Sequence, residues 1–268
     1  MIGVFDSGLG GLTILKYFLK ELPQYNYIYL GDSARTPYGG KSQDIIYNYA
    51  KEAVDFLFSK GCKIIIFACN TTSSQALKKI QQEYLPKKYP NKNVLGVIIP
   101  LVEEIVKNNR IKKVGVIGTK ATIKSNIYAN KLLKLNPKLK IFQKNASLLV
   151  PLVEEGWIEK KETKMILKKY LRELKIKQID TLILACTHYP ILIKNIRRIM
   201  PKKCIIYNPG KIVAKSFKKY LGKYQGLKIH QSGLPICKFY TTGNVNDFKI
   251  LGEKFLNQKM DNIEKIKL

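Results

Sequence analysis

Phe67-Ala68-Cys69-Asn70-Thr71-Thr72-Ser73-Ser74 follows Lys63-Ile64-Ile65-Ile66, a β-branched run of the kind buried inside a sheet. A small polar cluster then gives way to Gln75-Ala76-Leu77-Lys78-Lys79-Ile80, the expected first turns of a helix. Cys69 therefore falls where a strand ends and a helix is about to start. The same design returns as Thr181-Leu182-Ile183-Leu184-Ala185-Cys186-Thr187-His188-Tyr189-Pro190, with Ile191-Leu192-Ile193 opening the next helix. Two thiols at matching strand ends point to a reaction that needs one such group on each side of a substrate.

Strands and helices alternate outward from these two points. Residues 2–5 read as a strand, Asp6-Ser7-Gly8-Leu9-Gly10-Gly11 as a glycine-rich turn, and 12–22 as a helix closed by Pro23. Such a turn resembles a loop that cradles phosphate or carboxylate on backbone N–H groups, but it lacks the dinucleotide fingerprint. A strand at 27–30 runs into the polar loop 31–42, whose Gly39-Gly40-Lys41-Ser42 lacks the upstream glycine of a P-loop. A helix at 42–60, a basic, proline-punctuated surface connection at 85–90, a strand at 94–99 stopped by Pro100, and a helix at 101–108 follow. The second half adds strands at 113–118, near Ile141-Phe142, at 181–185 and at 204–207, with a helix at 160–174. The tail carries a helix at 211–221, a strand at 238–241, and a last helix from about Val245 with Leu251, Phe255, Met260 and Ile263 on its apolar face.

This order predicts an α/β fold with mostly parallel sheets flanked by helices. Ile2-Gly3-Val4-Phe5-Asp6-Ser7 lies over Val114-Gly115-Val116-Ile117-Gly118-Thr119 at an offset of 112 residues, and the two cysteines are 117 apart. Similar offsets and the same strand–turn–helix order imply a duplication into two pseudo-symmetric domains. In such sheets ligands gather at the carboxyl ends of strands. Asp6, Ser7, Asp32, Cys69, Asn70, Thr119, Cys186 and His188 all fall there.

Composition bounds the function. The chain has 268 residues, enough for one or two domains. No apolar run reaches the roughly 20 residues that span a bilayer, and the opening residues show no signal-peptide pattern, so the cytoplasm is expected. Five cysteines (Cys62, Cys69, Cys186, Cys204, Cys237) without a secretion signal argue against a disulfide framework. With no Cys-x-x-Cys pair and only His188 and His230, no metal site is expected. The net charge of +29 raises nucleic acid as a partner, but only five of the 48 basic residues are arginine. Lysine spread beside abundant Ile, Asn and Tyr is the pattern of codon bias, which leaves nonspecific attraction to polyanions.

A helix amino terminus or a nearby cation lowers a thiol's pKa, so the setting of both cysteines favours thiolate. Cys186 with His188 alone would suit a thiol hydrolase with a covalent intermediate. Two facing thiols suit stereoinversion instead: one removes a proton from carbon and the other delivers a proton to the opposite face. The negative charge that develops needs directed donors, for which Asn70, Thr71, Thr187 and the glycine-rich turn are suited. Asp6 and His188 would each adjust the protonation of the nearer thiol.

Asp6-Ser7-Gly8-x-Gly10-Gly11, Gly31-Asp32-x-x-Arg35-x-Pro37-Tyr38-Gly39, Ala68-Cys69-Asn70-Thr71, Gly118-Thr119-x-x-Thr122 and Ala185-Cys186-Thr187-His188-Tyr189-Pro190 together resemble the glutamate racemase family, in the same order and over nearly the whole chain. The resemblance implies interconversion of L- and D-glutamate without a cofactor, supplying D-glutamate for peptidoglycan synthesis. It implies a first domain of residues 1–97 plus 210–268, a second of 98–209, a site in the cleft between them, and a homodimer. Carried over, Cys69 deprotonates D-glutamate and Cys186 L-glutamate. Asp6, Ser7, Tyr38, Gly39, Asn70, Thr71, Thr119, Thr122, Thr187 and His188 line the substrate pocket, and Asp6, Glu154 and His188 support the thiols. Glu154 reads equally well as a solvated carboxylate at a helix end. Two positions depart from the family pattern: Thr72 stands where alanine is common, and Asn208 where aspartate is expected.

Overall fold

A computed structural model describes residues 1–223 and 235–268; His230 lies outside the described residues. Within them the strands are β1 (Ile2–Asp6), β2 (Tyr27–Gly31), β3 (Ile64–Phe67), β4 (Asn93–Gly96), β5 (Lys113–Gly118), β6 (Lys140–Asn145), β7 (Thr181–Ala185), β8 (Ile205–Ile206), β9 (Cys237–Thr241) and β10 (Ile263–Lys265). One sheet has the order β10-β9-β2-β1-β3-β4 and the other β6-β5-β7-β8. Every pairing is parallel. Parallel neighbours cannot be joined by a tight hairpin, so the chain returns over a helix between them. Helices therefore cover the sheet faces, and β1, β2, β3 and β7 are buried throughout.

The expected duplication is visible in the strand order, since β2-β1-β3-β4 and β6-β5-β7-β8 are the same arrangement. Gly3 pairs with Ile28 and Ile65, and Gly115 with Phe142 and Leu182, so each glycine sits at the middle of its sheet. Cys69 follows β3 and Cys186 follows β7, the corresponding strands. β9 and β10 extend the first sheet beyond β2, without a counterpart in the second among the described residues.

The chain reaches β9 through the helix Pro209–Leu221, which lies against Leu12–Glu21 with the Phe18 and Phe217 rings stacked at 5.3 Å. Asn208 caps that helix by accepting from the Lys211 N–H at 3.2 Å, and its amide donates to the Tyr17 hydroxyl at 2.7 Å. An amide makes both bonds at once; a carboxylate could not donate the second. The helix Ile98–Val106 packs its Ile98, Leu101, Val102 and Ile105 with Val114 and Val116 of the second sheet and with Ile111 just before it.

Four expectations are corrected. The strand read at 94–99 is Asn93–Gly96, and the following helix begins at Ile98 with Pro100 in its first turn, where a missing N–H costs no helical bond. The helix after Cys69 starts at once, at Asn70, and not at Gln75. The connection at 85–90 contains the helical turn Leu85–Lys88. The last helix ends at Leu256, where Asn257 is left-handed at φ 61°; Met260 then folds back over Gly252, and Ile263 starts β10.

Phe217 ties the returning segment to the first sheet. Phe217→Ala is expected to lower the unfolding free energy by about 3 kcal/mol, read from a urea or guanidinium transition; an unchanged midpoint would show that the segment does not depend on this contact.

Candidate active site

The strand ends deliver the polar side chains to one place. β1 ends on Asp6, which is fully buried; its carboxylate accepts from the Gly8 N–H at 3.0 Å and the Thr187 hydroxyl at 3.2 Å. After β3, Cys69 caps the helix Asn70–Gln75, its sulfur accepting from the Thr72 N–H at 3.5 Å. The Ser7 hydroxyl lies 3.4 Å from the same sulfur. After β5, Thr119 caps the helix Lys120–Lys124 and accepts from the Thr122 N–H at 3.4 Å. After β7 come Cys186, Thr187 and His188, with His188 Nδ1 3.8 Å from Cys186 Sγ and Nε2 3.0 Å from Glu154 Oε1.

Cys69 and Cys186 line one small cavity with Ser7, Tyr38, Gly39, Asn70, Thr71, Thr119, Thr187 and His188. Thr36, Pro37 and Val150 complete its wall. Its volume of about 20 Å³ has room for roughly one water molecule. Polar contacts cross between the halves around it. Thr71 and Thr119 share a hydroxyl hydrogen bond of 2.9 Å, Thr122 stands 3.4 Å from Thr71, and Tyr128 donates to Asn70 Oδ1 at 2.6 Å. The Thr13 hydroxyl donates to the Thr187 carbonyl at 2.9 Å.

Two glycines permit this closeness. A Cβ on Gly10 would meet Thr187 Oγ1 at 2.2 Å and His188 Nδ1 at 2.6 Å, and one on Gly39 would meet Thr119 Cβ at 2.6 Å. Gly10 thus serves approach between the halves as well as the turn itself. Tyr38 lines the cavity while its hydroxyl donates to Asp32, a buried carboxylate that also accepts from Arg35 Nε at 2.7 Å and Thr242 at 2.8 Å.

Electrostatics separate the two thiols. Burial, reinforced by the Asp6 charge, pushes Cys69 up to about 11, against the hydrogen bonds of Ser7 and Thr72. The expected thiolate is therefore not the resting form of Cys69: its helix has only six residues, and the desolvation of the sulfur outweighs that terminus. Asp6 is itself raised by burial, although the His188 charge and its own hydrogen bonds oppose this. For His188, burial by itself lowers the pKa, but the contacts to Cys186 and Glu154 overcome it and raise the value to about 10. His188 is accordingly an imidazolium at neutral pH, beside Cys186.

Of the residues singled out from sequence, Asp6, Thr122 and Glu154 stand behind the cavity wall, each bonded to a residue that forms it. Thr13, Thr36, Tyr128 and Val150 were not anticipated. Thr36 sits in the polar loop that follows β2, a common place for binding residues, whereas Thr13, Tyr128 and Val150 lie in helices and carry no local signal. Among the described residues no group of three or more His, Cys, Asp or Glu is placed to hold a metal ion, and no helix is long and apolar enough to cross a membrane.

Comparison with known proteins agrees with this fold. The family model for Asp/Glu/Hydantoin racemase matches residues 13–216. A glutamate racemase of Syntrophus aciditrophicus is 37% identical over 268 residues, covering 100% of this chain and 96% of that protein. The crystal structure of a Francisella tularensis glutamate racemase in complex with D-glutamate superposes with a TM-score of 0.89 at 37% identity, over 99% of this chain and 97% of that one. A Bacillus anthracis glutamate racemase superposes with a TM-score of 0.92 at 32% identity, over 100% and 97%. The chain belongs to the Asp/Glu/hydantoin racemase family and, within it, to the glutamate racemases.

Proposed function

We propose that this protein interconverts L- and D-glutamate with Cys69 and Cys186 as its acid/base pair and no cofactor. The observation that carries the reading is the placement of two thiols, at the ends of corresponding strands in two like-ordered sheets, in the wall of one cavity. One thiolate takes the α-proton: the Cα–H bond breaks, an S–H bond forms, and the electron pair passes into the substrate carboxylate. The opposite thiol then gives its proton to the other face of the carbon. Neither step changes the net proton count, so the reaction needs no co-reactant.

Local charge sets the resting roles. Cys69 is a neutral thiol and stands ready to donate. Cys186, 3.8 Å from the protonated imidazole, is the base. That pairing receives L-glutamate; the reverse pairing receives D-glutamate. Hydroxyls of Ser7, Thr71, Thr119 and Thr187 and the Asn70 amide supply directed donors for the carboxylates and the developing charge. Glu154 keeps His188 protonated, and Asp6 keeps Cys69 a strong base once ionised. Residues 1–97 with 210–268, and residues 98–209, act as two jaws around the substrate. The D-glutamate formed in the cytoplasm supplies peptidoglycan synthesis, and the working unit is a homodimer.

Cys186, His188 and Glu154 also stand in the order of a hydrolytic triad. That reading leaves Cys69 without a task, and it requires an acyl-enzyme on Cys186 that a thioester trap would reveal.

With L-glutamate in D₂O, D-glutamate carrying α-deuterium is expected. Cys69→Ser and Cys186→Ser should each lower the rate by about 10²- to 10⁴-fold, because a serine hydroxyl ionises too weakly to take either role. Racemisation that survives either substitution would remove that thiol from the mechanism. In ring-nitrogen NMR, His188 is expected to titrate at about 10, and Glu154→Gln to lower that midpoint, since a group that raises it is lost. An unmoved midpoint would exclude Glu154 from the protonation of His188.

A further inference from the structure

Thr72 has no exposed surface, and its hydroxyl has no hydrogen-bond partner among the described residues. Its neighbours are all engaged. Thr71 bonds Thr119 and Thr122 across the cleft, Ser73 donates to the Phe67 carbonyl at 2.9 Å, and Ser74 donates to the Thr71 carbonyl at 2.9 Å. A threonine inside a helix usually spends its hydroxyl in the same way, on a carbonyl of the preceding turn. A buried polar atom left unpaired has a free-energy cost and calls for a reason.

The reason lies one turn back. Cys69 is the cap of this helix and Thr72 is the third residue after it; the Thr72 N–H already donates to Cys69 Sγ at 3.5 Å. In a capping box, the side chain at this third position reaches back to accept from the backbone N–H of the cap residue, so a side chain here is within reach of the cap. The Thr72 hydroxyl is moreover one of the groups that favour the Cys69 thiolate, behind Ser7 and against burial and Asp6. A neutral thiol is a poor acceptor, whereas a thiolate takes strong, charge-assisted hydrogen bonds. The hydroxyl falls short of hydrogen-bond geometry with the thiol, and ionisation of the sulfur supplies the acceptor it lacks.

We propose that Thr72 is a positioning residue for Cys69, its hydroxyl donating to the sulfur only while Cys69 is a thiolate. This rests on the two-thiol reading given above. In the D-to-L direction the bond exists before Cys69 takes the α-proton and is released as the S–H bond forms. In the L-to-D direction it forms as Cys69 gives its proton to carbon. Thr72 therefore stabilises the charge shared by sulfur in the transition state on the Cys69 side and has no part on the Cys186 side.

The test follows from that one-sidedness. Glutamate enantiomers are of equal free energy, so kcat/KM must fall equally in both directions whatever is substituted. Isotope effects are free of this restriction: α-deuterated D-glutamate reports proton removal by Cys69, and α-deuterated L-glutamate reports removal by Cys186. Thr72→Ala is expected to lower kcat/KM about tenfold, the order of one hydrogen bond to a charged group. It should raise the isotope effect on kcat/KM with deuterated D-glutamate and reduce that with deuterated L-glutamate. Thr72→Val, which keeps the shape, should behave as Thr72→Ala even if the alanine variant folds poorly. Thr72→Ser, which keeps the hydroxyl, should return both isotope effects to the wild-type values. Unchanged kcat/KM in Thr72→Val, or two isotope effects that stay in their wild-type ratio, would overturn the proposal. Wild-type protein that racemises glutamate with no α-deuterium isotope effect in either direction would overturn this proposal but leave the activity intact, whereas wild-type protein that does not racemise glutamate would overturn the two-thiol reading itself.

Discussion

Burial of the Asp6 carboxylate is the constraint on which the rest of the site depends. A carboxylate removed from water is tolerated only when directed donors replace the lost hydration. Its donors include the Gly8 N–H of its own turn and the Thr187 hydroxyl of the opposite half. The charge beyond that hydroxyl is the His188 imidazolium, which favours the ionised form. Asp6 therefore couples the chemistry of the first sheet to the position of the second: separating the halves removes a donor and a cation from the same buried group.

The duplication supplies symmetry of place without symmetry of chemistry. β3 and β7 set a thiol at equivalent points, but the surroundings of the two sulfurs differ in kind. Cys69 is served by hydroxyls and a backbone N–H and faces a carboxylate; Cys186 faces an imidazole held by a second carboxylate. Burial raises the first thiol, while the second stands 3.8 Å from an imidazole whose own pKa is raised to about 10. On the proposed function this difference is tolerable, because the product and substrate have equal free energy. The overall rate constants in the two directions are bound together, and the asymmetry shows only in how the barrier divides between the two proton transfers.

Much of this was legible in the chain because it depends on local pattern. Ile64–Phe67 and Thr181–Ala185 are continuous apolar runs, buried on both faces as such runs are in parallel sheets. The glycine offset and the cysteine offset gave the repeat, and the strand-end rule gathered Asp6, Cys69, Cys186 and His188. What was not legible depends on contacts distant in sequence. Tyr128 meets Asn70 from a helix of the other half, and Thr13 meets Thr187 across 174 residues. Pro100 was read as a stop because a proline breaks both a strand and a helix interior; only the tertiary setting shows that it occupies a first turn. The ionisation of Cys69 is hidden from sequence for a related reason. A helix terminus can be seen in sequence, but the depth of burial that outweighs it cannot.

The cavity gives these contacts a further meaning. Room for about one water is far less than glutamate and its two carboxylates occupy. On the proposed function the halves must part to admit substrate, and the donors that now satisfy one another across the cleft become the donors that receive it. Thr71 and Thr119 share a hydrogen bond when closed on each other, and each gains a stronger, charged acceptor when a carboxylate enters between them. Gly10 and Gly39 matter for the return: with any larger side chain at either position the halves could not come back to the distance at which both sulfurs reach one carbon. Closure then excludes water from a carbanion that bulk solvent would reprotonate from either face, and leaves the choice of face to the thiols.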